Sequence, residues 1–161
     1  MSSTVDDRRL QESVAEIALG PEDRALVAAW VGLLDAEIPA VAQRYYDHLR
    51  TTEVGALLTP DRIDRLLAAR IAHWRLLLRG DFTALADDYA ERFGKRLFEV
   101  GFPQRIFVVA TDWFVVELGR FVDRCPDLPD AVRTDLRVAL TRFAFLDLAL
   151  AHASREVAYL D

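Results

Sequence analysis

The chain has 161 residues, a length that fits one domain and leaves little room for two. Hydrophobic residues make up 52% and charged residues 29%, the balance of a soluble globular protein, which excludes wholesale disorder. Twenty-six acidic against 20 basic residues give a net charge of −6, which argues against nucleic acid or an anionic membrane as partner. Seven Gly and six Pro are too few for a fold of many short strands and tight turns. The lone Cys125 has no internal disulfide partner, so a reducing cytoplasm is the expected compartment. No targeting or spanning segment is expected. Met1 to Leu10 carries acids where a signal peptide would be basic and then apolar. The runs Ile106–Leu118 and Val138–Leu150 are interrupted by charges and fall short of the ~18 clean apolar residues a span needs.

Periodicity predicts helices along nearly the whole chain. Leu10, Val14, Ile17 and Ala18 recur at 3/4 spacing within an N-terminal extension (residues 1–20), which Gly20-Pro21 stops. A second helix is expected from Pro21 to Leu34, with Glu22 and Asp23 in its first turn. Pro39 is tolerable only in a first turn, so a boundary is placed near Asp35 and a third helix over Ala36–Arg50. Thr59-Pro60-Asp61 opens a fourth that stops at Gly80, and a fifth covers about Thr83 to Val100. Two long helices follow, Pro103–Arg124 and Pro129–Tyr159, separated by Cys-Pro-Asp-Leu-Pro. About seven helices in a single domain over residues 1–161 result.

The last two helices are apolar on more than one face. Ile106, Phe107, Val108, Val109, Trp113, Phe114, Val115, Val116 and Leu118 leave the first little polar surface, and Val138, Leu140, Phe143, Phe145, Leu146, Leu148 and Leu150 do the same for the second. A helix with one buried stripe would keep a polar side. The pair is therefore the centre of the domain or is buried twice, inside and against a second copy. Trp113, Phe114, Phe143 and Phe145 are the candidates for that seam or for the core behind it.

Signals for catalysis are absent. His48, His73 and His152 form no i, i+4 pair around a carboxylate, and Cys125 has no ligand-type neighbour in sequence, so no zinc motif exists. There is no phosphate-binding glycine loop and no nucleophile elbow, and Asp87-Asp88 reads as solvated surface. The chain is not expected to be an enzyme.

Several segments in order are similar to the globin-coupled sensors. Ile17–Leu26 resembles that family's opening helix, and Tyr45-Tyr46-Asp-His-Leu49 its aromatic-Tyr motif on helix B. His73-Trp74 followed by Leu78-Arg-Gly-Asp-Phe82 resembles the end of helix E, and Phe93–Phe102 the F-to-G passage. Leu146-Asp147 and Tyr159 fall where the last helix of the family carries like residues. The resemblance spans about Leu10 to Tyr159 and implies an all-α, globin-like helical sandwich of the sensor-globin type. In the family the F-helix passage carries the proximal His that binds haem iron; here that position is Leu97, which has no lone pair for a metal. Ala69 stands where many relatives place a second distal residue, sometimes a hydroxyl, on helix E, and Phe107 where relatives often carry Tyr on helix G, while Tyr46 keeps its hydroxyl.

The implied pocket is lined by Tyr46, Leu66, Ala69, His73, Phe93, Leu97, Val100 and Phe107, with Phe93, Leu97 and Val100 forming one stripe. Without haem, a buried His at position 97 would leave ring nitrogens unpaired at ~1–3 kcal/mol, whereas a buried Leu contributes ~1.5–3 kcal/mol. The expectation is a haem-free regulatory input domain with no metal, similar to the non-haem globin domains of stressosome sensor proteins. It would signal through a homodimer of its last two helices to an output domain or signalling protein. The alternatives are a haem-binding gas (oxygen) sensor with unusual or absent proximal ligation, the haem ligated through Tyr46 or His73 or held by its apolar faces alone, and a binder of an apolar small molecule such as a fatty acid.

Overall fold

The computed structural model describes residues 3–89 and 105–158. Among these, six α-helices and one short 3₁₀ turn make up the regular structure, with no strand. They are α1 (Ser3–Glu16), α2 (Pro21–Leu49), the 3₁₀ turn (Glu53–Leu57), α3 (Pro60–Leu78), α4 (Phe82–Asp88), α5 (Arg105–Arg124) and α6 (Asp130–Ala158).

The start and stop signals act as their chemistry dictates. Pro21 and Pro60 occupy first-turn positions where a missing N–H costs nothing. Asp23 reaches back to the Gly20 N–H at 3.0 Å, and the same carboxylate meets Arg142 of α6 at 2.8 Å, fixing the start of α2 on the last helix. Gly80 takes φ +70 in the turn after α3, a conformation that an L side chain resists. The Cys125–Pro129 turn between α5 and α6 is held by Arg133, whose guanidinium donates to the carbonyls of Val122 at the end of α5 and of Cys125 and Leu128 in the turn.

One boundary differs from the sequence expectation. The helices expected over Pro21–Leu34 and Ala36–Arg50 are a single helix, α2, that runs through Pro39. Proline removes one hydrogen bond and crowds the carbonyl four residues earlier, a cost of about 3 kcal/mol. Burial on both sides outweighs it: Leu34, Ile38, Val41 and Ala42 are inaccessible to solvent, while Pro39 itself faces out. Joining the two segments also yields an 18-residue stretch of mean hydropathy 1.6, long and apolar enough by length and composition to cross a membrane. A boundary at Asp35 divides that stretch, which is why it does not stand out in the sequence. In the fold, α2 packs against α3, α5 and α6.

The main core lies among α2, α3, α5 and α6, with Trp74, Phe114, Phe143, Leu34, Leu118 and Leu136 fully buried. A second cluster gathers Tyr45, Tyr46, Leu49, Leu58, Ile63 and Ala110. The fifth expected helix is described only as α4; the residues that would continue it lie outside the described ones.

α1 ends in a Schellman turn, in which the Leu19 N–H donates to the Val14 carbonyl and the Ala18 N–H to that of Ala15, both at 3.1 Å. Ala18 sits there at φ 57, where its Cβ is strained and a glycine is not. Ala18→Gly should therefore raise stability by about 0.5–1 kcal/mol, the relieved strain less the added freedom of the unfolded chain. Denaturant melts of the two proteins check this, and an unchanged or lower midpoint would contradict it.

Candidate functional site

The inward stripe of α3 runs through Ile63, Leu66, Leu67, Arg70, His73, Trp74 and Leu77, positions three and four apart that share a face. Because that stripe carries His73 and Arg70 among its apolar members, the helix brings two polar heads into the interior.

His73 is 3% exposed, and its Nε2 lies 2.8 Å from Oδ1 of Asp147, a residue of α6 that is 6% exposed. The Tyr89 hydroxyl, at the end of α4, donates to the same Oδ1 at 2.6 Å and lies 3.2 Å from His73 Nε2. Asp88 Oδ2 stands 4.0 Å from His73 Nδ1. Burial is the largest single effect and works to lower the His73 pKa, but the charge and hydrogen bond of Asp147 and the hydrogen bond of Asp88 together outweigh it, and the net shift is upward from 6.5. Burial first, and then the Asp147 charge, hold the Tyr89 phenol well above its ordinary range. The site is thus a buried imidazole–carboxylate pair with a phenol donating to the same carboxylate.

One turn before His73, the Arg70 guanidinium lies among Tyr46, Tyr45 and Tyr89 and 5.8 Å over the ring of Trp74. The Tyr45 hydroxyl donates to the Ile106 carbonyl at a long 3.4 Å, and burial carries its pKa to about 12 despite the nearby Arg70 charge. Tyr45 also packs against Tyr46, Trp74 and Trp113 at ring separations of 5.2, 6.4 and 6.0 Å.

The residues expected to line a pocket are distributed as follows. Tyr46 is buried in the second cluster and Leu66 packs against it. His73 is buried one turn along α3 from Arg70, and Phe107 is buried in the main core. Ala69 faces solvent, because it lies on the flank of a stripe centred on Arg70 and Trp74. Phe93, Leu97 and Val100 lie outside the described residues.

The four seam candidates separate into inner and outer groups. Phe114 and Phe143 are 1% exposed and belong to the core, Phe143 meeting Phe82 edge-on at 5.1 Å. Phe145, on the opposite side of α6, is 53% exposed. Trp113 is half-buried, stacked on the exposed His48 at 5.0 Å. With Phe145, the residues Val109, Val116 and Val138 give α5 and α6 an apolar outer face.

His73 and the segment Leu146-Asp147 stand out in the sequence but nothing there pairs them, and nothing there gives Arg70 or Tyr89 a role. A signal for Arg70 was present: it is four residues after Leu66 and four before Trp74, on the apolar stripe.

Helices of this order, enclosing a core between the second, third and last two, define an all-α globin-like domain. A family model described as Protoglobin matches residues 6–160, and the chain belongs to the protoglobin family. No curated protein matches the chain.

The raised His73 pKa has a consequence for stability. A group protonated more readily in the folded state stabilises it fully below its unfolded pKa, and the contribution is lost as pH rises through the folded value. Unfolding free energy should therefore fall as pH is raised above the ordinary histidine value of about 6.5, and Asp147→Asn should flatten that slope. Denaturant melts across the range check this; an equal slope in both proteins would contradict it.

Proposed function

We propose that this protoglobin-family domain is a haem-free sensor module, not a catalyst, that signals as a homodimer through the outer faces of α5 and α6. The observation that carries the haem-free reading is the engagement of the buried His73 by Asp147 at 2.8 Å. With Nε2 on that carboxylate and Nδ1 facing Asp88 Oδ2 at 4.0 Å, both ring nitrogens are directed at acids. The other two histidines, His48 and His152, are exposed, and the position of the family's proximal ligand is Leu97. The residues present therefore do not fit a porphyrin held through its metal.

The dimer reading is supported by the outer apolar face. Val109, Val116, Val138 and Phe145 expose between 38% and 53% of their surface, although each stands on a helix whose other side fills the core. A second copy laid on this face would complete a four-helix seam. Asp147 and Phe145 lie two residues apart on α6 and point to opposite sides. A change at the α3 stripe would thus reach the seam through one rigid helix.

Protein mixed with haemin and passed over a desalting column should retain no Soret band. A band that survives, and that vanishes in Tyr46→Phe or in a His73 variant, would overturn the haem-free reading. In sedimentation at micromolar concentration the chain should run as a dimer and Phe145→Glu as a folded monomer. A monomeric parent protein would remove the dimer.

A further inference from the structure

The helix α4 is seven residues long and ends against its own electrostatics. Asp87 and Asp88 stand in its last turn, where the helix dipole disfavours acids, and no basic residue stands there. A helix of two turns holds only through its tertiary contacts. Its first half has several: Asp81 caps the Ala84 N–H at 3.0 Å, Phe82 meets Phe143 edge-on at 5.1 Å, and Leu85 is fully buried. At the far end Tyr89 donates to Asp147 at 2.6 Å, and the half-buried Asp88 carboxylate stands 4.0 Å from His73 Nδ1.

The two ring nitrogens of His73 thus face two different helices, Nε2 toward Asp147 on α6 at 2.8 Å and Nδ1 toward Asp88 on α4. A protonated ring donates from both nitrogens, a neutral ring from only one. The closer carboxylate, Asp147, keeps the remaining proton of a neutral ring on Nε2. Nδ1 then turns a lone pair toward Asp88, and an attraction becomes a repulsion between two acceptors. The groups facing the ring are Asp147 from α6, Asp88 and the Tyr89 hydroxyl from the end of α4, and Arg70 one turn back on α3, whose charge opposes protonation. Burial first, then the Asp147 charge, keep the Tyr89 phenol protonated, so it goes on donating to Asp147 while the ring titrates.

We propose that His73 is a proton-operated latch: charged, it clasps the last turn of α4 to the tie between α3 and α6, and neutral, it releases that turn while α6 stays held. The latch goes beyond the sensor reading and does not depend on the dimer; taken with that reading, the proton is an input to the module.

An NMR titration of the whole chain from about pH 5 to about pH 10 tests this, following the His73 ring and the Cα shifts of Ala86, Asp87 and Asp88 in the same samples. Replacing the exposed His48 and His152 by Gln leaves one ring signal and so assigns it without touching the interior. The ring should titrate with a midpoint above 6.5, and the three Cα shifts should leave the helical range with that same midpoint. Asp88→Asn should lower the midpoint and abolish the Cα response, because an amide can accept from the charged ring or donate to the neutral one. A ring that does not titrate in this range, Cα shifts that stay still while it does, or an Asp88→Asn protein with the parent's midpoint would each overturn the latch. None of these outcomes bears on the haemin and sedimentation results, so failure of the latch and failure of the sensor reading are read separately.

Discussion

Asp147 accepts from His73 at 2.8 Å and from Tyr89 at 2.6 Å, and so ties α6 to α3 and to the end of α4. Taking one partner from such a buried pair leaves an uncompensated charge, at a cost of about 3–5 kcal/mol. That is a large share of the 5–15 kcal/mol by which domains of this size are stable. The same tie occupies the buried histidine of the third helix. One contact therefore sets the register of three helices and the chemistry of the interior.

Around it, the last two helices do two jobs with opposite faces. Their inner sides supply Phe114, Leu118, Phe143 and Leu146 to the core, and their outer sides hold Val109, Val116, Val138 and Phe145 against solvent. Asp147 reaches inward from the same turn of α6 that carries Phe145 outward. In the proposed reading, this places the interior and the seam on one rigid element, so a small shift on one side has a mechanical route to the other.

Much of this architecture was legible from the chain. Gly20-Pro21, Thr59-Pro60, Gly80 and the Cys125–Pro129 turn mark boundaries through local chemistry, and local chemistry is what a sequence displays. The two-faced character of the last helices was legible as well, since Phe143 and Phe145 stand two apart and must point to opposite sides. Pro39 misled because its helix is sustained by tertiary burial at Leu34, Ile38 and Val41, which no local rule records. At the interior site, His73 and Tyr46 could be named from motif position, but the partners of His73 could not. Tyr89 is 16 residues away and Asp147 74 away in sequence, and only the packing of helices brings them together. Arg70 was passed over because an arginine on a helix is expected to face water, although its spacing placed it on the apolar stripe.

The claim at the centre of this account is that His73 and Asp147 act as one energetic unit. A double-mutant cycle with His73→Phe and Asp147→Leu measures it directly by equilibrium unfolding. The account predicts that each single replacement is strongly destabilising, while the double loses about 2 kcal/mol or more less than their sum, because no buried charge is left alone. Losses that add to within about 0.5 kcal/mol would contradict it, for the two groups would then be neighbours without being partners.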